Sequence, residues 1–213
     1  MDRGARCVGR DSPSRRTPLR RIAPLFAMVA WVAACAQEPL PQDSFYRLGP
    51  PAVAAPAAAP LRGTLEVDRF RAEGLGAGRA IVYSRADQPL RLNEYNYHFW
   101  AEPPAVLLQE QLVAYARAAR LADRVVTPEM RIDAQHVLSG RIVRLEQVQG
   151  PNPHVVVALE MALRQVGSDR VPVLGTYERV EPASGATVGA AVVAIDRALN
   201  QIFSRFLADV AAR

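Results

Sequence analysis

Cys35 closes an eleven-residue apolar run, residues 22–32, through the tetrad Val32-Ala33-Ala34-Cys35. A basic segment, an apolar segment too short to span a bilayer as a stable helix, and small residues before a cut are the three parts of a processing signal. All three are present: Arg3, Arg6, Arg10, Arg15, Arg16, Arg20 and Arg21 supply the charge, residues 22–32 the apolar stretch, and Ala33 and Ala34 the small residues. The tetrad is a lipobox, so the spacing predicts removal of residues 1–34 and acylation of Cys35. Ordinary secretory cleavage at an Ala-x-Ala site is the competing reading. The basic segment is long, and the start codon in use is placed at or downstream of Met1.

The cut divides the charge unevenly. Of 26 basic residues seven precede Cys35, and of 21 acidic residues two do, which leaves 19 of each sign in the mature chain. The basic balance of the whole sequence therefore belongs to the presequence, and the mature chain offers no electrostatic case for nucleic acid. Of two cysteines, Cys7 leaves with the presequence and Cys35 is acylated, so no intrachain disulfide is expected. One acyl chain gives only reversible membrane binding, at about 0.8 kcal/mol per buried methylene, whereas two or three anchor for good. Ala36 and Gln37, with no aspartate after the cysteine, point to the outer membrane, periplasmic face.

Residues 35–61 read as an acylated N-terminus and tether. The run Gly49-Pro50-Pro51-Ala52-Val53-Ala54-Ala55-Pro56-Ala57-Ala58-Ala59-Pro60 cannot build a core and favours semi-extended backbone. Within it Ser44-Phe45-Tyr46-Arg47-Leu48 is out of place in a solvated linker, and it is expected to dock as a strand.

Residues 62–213 have the length of one domain with one core. Strands are expected at 64–70, 80–85, 90–97, 124–126, 136–147, 155–165 and 173–180. Gly150-Pro151-Asn152-Pro153 is a turn between antiparallel strands, and in the strand after it Val155, Val157, Leu159, Met161 and Leu163 alternate with residues expected to face water. A helix opens at Trp100-Ala101-Glu102-Pro103-Pro104, where an early proline costs least, and buries Leu108, Leu112, Tyr115, Ala116 and Ala119. A second, C-terminal helix carries the stripe Val188, Val192, Ile195, Leu199, Ile202, Phe206 and Val210, with Thr187 as its N-cap. The fold class is α/β: a single sandwich-like domain, a mixed and largely antiparallel sheet packed by two main helices.

Chemistry-bearing patterns are sparse. Gly74-Leu75-Gly76-Ala77-Gly78 lacks the spacing of a dinucleotide or phosphate loop and reads as a turn. His98, His136 and His154 lie on separate elements with neither HExxH spacing nor a cysteine partner, so no metal site and no cofactor are expected. No Gly-x-Ser-x-Gly nucleophile turn occurs, and the carboxylates are scattered; Glu102, Glu146 and Glu160 are where a hydrolase would have to be sought. The chain reads as a non-enzyme. Its densest feature is Tyr95-Asn96-Tyr97-His98-Phe99-Trp100-Ala101-Glu102-Pro103-Pro104. Alternation would set Tyr95, Tyr97 and Phe99 on one face, and the segment (Tyr95, Tyr97, Phe99, Trp100, Glu102, Pro103, Pro104) is read either as core packing where sheet meets helix or as a partner contact.

The order of segments resembles the auxiliary lipoproteins of ABC-type lipid transporters, the PqiC-like family. The resemblance lies in Phe45-Tyr46-Arg47-Leu48, Leu65-Glu66-Val67-Asp68-Arg69-Phe70, Arg79-Ala80-Ile81-Val82-Tyr83-Ser84, the Tyr95–Pro104 string, and Leu138-Ser139-Gly140-Arg141-Ile142-Val143-Arg144-Leu145-Glu146-Gln147. A departure is Asp87-Gln88, where a glycine-containing turn is expected. The resemblance implies an α/β sandwich domain in residues 62–213, partnered by a permease, an ATPase and a periplasmic MCE (mammalian cell entry) domain protein, with docking or exit of phospholipid or another hydrophobic molecule as the role and a homo-oligomeric ring as a plausible state. The alternative classes are an envelope lipoprotein that binds or hydrolyses peptidoglycan and one that scaffolds an outer-membrane protein.

Overall fold

A computed structural model describes residues 41–53, 61–168 and 170–212. Cys35, the presequence and much of the Pro/Ala stretch lie outside the described residues. The rest forms eight strands and two long helices: β1 (Ser44–Tyr46), β2 (Leu61–Val67), β3 (Ala80–Arg85), β4 (Gln88–Trp100), α1 (Pro104–Ala118), β5 (Ala122–Val126), β6 (His136–Gln149), β7 (His154–Gln165), β8 (Val173–Pro182) and α2 (Val188–Ala211).

β6 is the spine of one mixed sheet. On one edge it pairs antiparallel with β7 along nearly its whole length, and β7 pairs antiparallel with β8. Its other edge is shared in succession: β2 pairs parallel with residues 136–138, the chain continues past the isolated Arg71–Arg141 bridge, and β3 pairs parallel with residues 147–149. β5 extends the sheet from β2 in parallel, β4 extends it from β3 antiparallel, and β1 closes the β4 edge in parallel. The long ladders are the antiparallel ones, which is what the alternation and the short turns imply.

Both helices cover one face. The expected stripes are buried on each of them, Leu108, Leu112, Tyr115, Ala116 and Ala119 on α1 and its end, and Val188 to Val210 on α2. Thr187 caps α2, its hydroxyl accepting from the Ala190 amide at 3.2 Å. Leu65, Leu138, Leu159, Met161 and Leu163 meet these stripes from the sheet, and Phe203 and Phe206 fill the centre with edge-on contacts to Tyr115 and Tyr177 at 5.7 and 5.6 Å.

Two close approaches demand glycine. Gly63 has φ +91° where β2 shifts register against β5, and its amide donates to Asp123 Oδ2 at 2.7 Å. Gly140 on β6 lies flat under the Phe70 ring, leaving no room for a β-carbon. The β3–β4 hairpin, by contrast, turns without glycine. Ala86 and Asp87 make a two-residue loop with no left-handed φ, closed by Arg85 opposite Gln88, by the Ala86 amide on Gln149 O at 2.8 Å, and by Arg85 Nε donating to Asp87 Oδ1 at 3.1 Å.

The expected wet face of β7 is only partly wet. Val156 and Ala158, on the side away from the helices, are buried. Residues paired across a ladder share a face, so Val156 stands with Glu146, and Ser84 with Val148; all four are buried. At the hairpin end the curled sheet thus carries apolar burial on both sides.

Candidate functional site

The aromatic segment does not alternate as its sequence suggests. From Val82 to Ala80 on β3 is two residues, while their partners on β4, Glu94 and Phe99, are five apart. The three extra residues bulge out of β4 between Glu94 and Phe99, which bends the strand and breaks the period of two. Tyr95 therefore packs its ring against Tyr83 at 4.5 Å and edge-on against His98 at 5.4 Å, Phe99 sits by Phe45 at 5.8 Å, and Tyr97 is left substantially exposed. Trp100 and Pro104 enter the core, Phe99 and Pro103 are half-buried, and Glu102 is exposed at the start of α1.

Around Tyr95 a polar network ties three parts of the chain together. Its hydroxyl donates to Gln147 Oε1 at 2.9 Å and accepts from Gln149 Nε2 at 2.5 Å, while Gln147 Nε2 donates to the Ala186 carbonyl at 3.1 Å just before α2. Burial pushes the Tyr95 phenol above its ordinary pKa, partly countered by the Gln149 hydrogen bond. His98 is bonded through Nδ1 to the Tyr46 hydroxyl at 2.9 Å, and His154 through Nδ1 to the Asn152 carbonyl at 2.9 Å. The three histidines stay apart, and no group of metal-ligating side chains occurs among the described residues.

Residues 44–53 are held to the domain, and most of the contacts holding them were not visible in the sequence. β1 pairs with β4, the Ala101 amide donates to Tyr46 O at 2.7 Å, and Tyr46, Leu48 and Val53 pack against the core. Three side chains then grip the backbone of the following stretch. Asp196 Oδ1 accepts from the Gly49 amide at 3.0 Å, Gln111 Nε2 donates to the Gly49 carbonyl at 2.9 Å, and Asn200 Oδ1 accepts from the Ala52 amide at 2.8 Å. Asp196 sits on α2 beside its apolar stripe, and burial raises its pKa against the lowering effect of the Gly49 amide. The expected docking of Ser44-Phe45-Tyr46-Arg47-Leu48 is present and extends to Ala52.

Two grooves mark the other side of the sheet. An apolar one of about 550 Å³ has buried Val82 and Glu146 at its base and Leu75, Leu90, Leu92 and Val143 at its rim. Val143 is the bulged residue of β6, between Ile142 and Arg144, which turns it outward. At the base Glu146 Oε1 receives both Nε and Nη2 of Arg144, and its Oε2 is buried without a partner. The second groove, about 750 Å³, is lined by side chains of both signs of charge: Arg69 pairs with Glu129 at 3.3 Å and Arg141 with Glu160 at 2.9 Å. Burial raises the pKa of Asp68 there, with Arg164 and Arg71 opposing. Glu102, Glu146 and Glu160 thus point to three different places and form no acid–base pair. Among the described residues no helix is long and apolar enough to cross a membrane.

With this geometry in hand, comparison with known proteins is decisive at the level of family. The family model of the ABC-type transport auxiliary lipoprotein component matches residues 46–206. The chain belongs to that family. The match begins at Tyr46, the last residue of β1, and ends near the last turn of α2, so the docked stretch that follows β1, residues 47–53, lies within the family domain. This PqiC-like family is one of auxiliary transport components and not a known enzyme family. No curated protein matches. Among solved structures, protein XCC0632 from Xanthomonas campestris, of family DUF330, superposes with a TM-score of 0.67 at 20% identity over 77% of this chain and 92% of that one. An uncharacterised protein superposes at 0.59 and 17% identity over 81% and 98%. These likenesses show the fold.

Proposed function

We propose that this protein is an outer-membrane lipoprotein subunit of an MCE-type ABC transport system, anchored at the periplasmic face by acylated Cys35, where it acts as docking or exit component for phospholipid or another hydrophobic molecule. The observation that carries the reading is the match of residues 46–206 to the auxiliary lipoprotein family, beginning just downstream of a lipobox that supplies the anchor. Energy for transport comes from the partner ATPase, since this chain contains no nucleotide motif. The Tyr95–Pro104 segment serves the fold through Tyr95, Trp100 and Pro104 and offers Tyr97 and Glu102 to a partner. A ring of copies is the assembly that would match an oligomeric MCE tunnel.

Mild-detergent capture of the tagged full-length protein, with mass spectrometry of proteins and lipids in the eluate, tests this reading. An MCE-domain protein in the eluate is the expected result. Its absence, with peptidoglycan fragments or an unrelated barrel protein recovered instead, would replace transport by the envelope-binding or scaffolding role. Native mass spectrometry of the same sample reads the number of copies, and a lone monomer would remove the ring.

A further inference from the structure

We propose that the hairpin end of the sheet, with Leu90 and Leu92 at its surface, rests on the lipid bilayer to which Cys35 is anchored. The inference rests on the acylation reading above and adds to it a defined contact surface.

The first argument is chain length. Because β1 is fixed to the domain, only ten residue steps separate Cys35 from the docked Phe45, and they span at most about 35 Å. The Pro/Ala stretch after Val53 lies downstream of the docked strand and adds nothing to this reach.

The second argument is direction. β1 runs parallel to the end of β4, Ser44 beside His98 and Tyr46 beside Trp100, so the chain upstream of Ser44 approaches from the side of Tyr97 and the β3–β4 turn. Phe45 is level with Phe99 and Ala80, five residues from the end of β3, so the hairpin tip is about 17 Å away at a strand rise of about 3.3 Å. The opposite end of the sheet, at the β7–β8 turn, lies about eight residues away along β6, roughly 26 Å, and in the other direction. A connection that doubles back over β1 to reach that end uses about three quarters of its span, whereas the hairpin end is reached with about half of it.

The third argument is the surface itself. Leu90 is 98% exposed and Leu92 49%, on the same side of β4 as the apolar groove, where Leu75 and Val143 add further exposed aliphatic area. Exposed Arg91 lies between the two leucines and can reach lipid phosphates while the leucines enter the acyl boundary; Arg85 at the turn is paired with Asp87. Isolated exposed leucines are ordinary, but these four large aliphatics share one groove, which runs from Leu75 and Val143 near the middle of the sheet to Leu90 and Leu92 at the hairpin end, the end from which the anchored chain arrives.

The test uses the full-length acylated protein carrying an environment-sensitive fluorophore at Leu90→Cys or, for the opposite end, at Val171→Cys, reconstituted into phosphatidylethanolamine–phosphatidylglycerol vesicles with and without brominated acyl chains. Both proteins should float with the vesicles, and brominated lipid should remove most of the emission at position 90 and little of that at position 171. A protein that floats but keeps its emission at position 90, or loses it at 171, overturns the contact while leaving the anchor intact. A protein that does not float overturns the anchor reading and the contact with it.

Discussion

The two faces of the sheet bury apolar residues to different ends. On the helix side, Leu65, Leu159, Met161, Phe203 and Phe206 are closed off completely. On the other side, at the hairpin end, Val82, Val148 and Val156 are buried as well, but their cover stops short and leaves Leu90, Leu92, Leu75 and Val143 at the rim. A closed face supplies folding free energy, whereas a half-open apolar rim contributes little to folding and is available for a surface outside the molecule. The difference lies in which elements end where: two amphipathic helices span the first face, while only a turn and a bulged strand border the second.

Breaking the closed face should have the largest effect. Phe203→Ala leaves a cavity among α1, α2 and the sheet and is expected to lower stability by about 3–5 kcal/mol in urea denaturation. Gly140→Ala forces a methyl group against the Phe70 ring and should cost about 1–3 kcal/mol, measured the same way. Next comes the strap of residues 44–53. Asp196→Ala removes the acceptor for the Gly49 amide and should cost about 1–2 kcal/mol, with faster amide exchange at residues 48–53 as the local sign. Asp196→Asn keeps a carbonyl oxygen at that place without the charge, and at neutral pH should be at least as stable as the parent protein.

The sign of the pH dependence follows from burial. The folded pKa of Asp196 lies above its unfolded value, so between the two the folded state holds the extra proton. Its contribution to stability is therefore greatest below the ordinary carboxylate range and falls as pH rises through the raised value. Stability of the parent relative to Asp196→Asn, followed from pH 3 to pH 7, should decline over that window; a difference that stays flat or rises would show that the carboxylate is not buried as described.

The helix face was legible because it rests on long periods. Seven stripe residues on α2 leave no competing register, and both helices and the strands came through with ends moved by a few residues. What could not be read is whatever depends on a neighbour. The bulge that separates Tyr95 from Tyr97 exists only relative to β3, which is shorter, and a single strand cannot reveal it. Val156 and Ala158, away from the helices, looked like surface alternation because the curl of the sheet is set by how β2 and β3 share one edge of β6. Likewise Asp196, Gln111 and Asn200 looked like ordinary polar positions on helices, since what they bind is main chain, which has no signature in side chains. The docked strand was foreseeable from Phe45 and Tyr46 alone, two aromatics with no reason to stand in water.

The smallest stability effect belongs to the rim, and it tests the contrast most directly. Leu90→Glu, made in the full-length protein, should leave the urea midpoint within about 0.5 kcal/mol of the parent, as for an exposed position, while abolishing the slowing of amide exchange in residues 88–97 that vesicles impose on the parent. A midpoint that falls as far as that of Phe203→Ala would contradict the account, because Leu90 would then belong to a closed core and the two faces would not differ in kind.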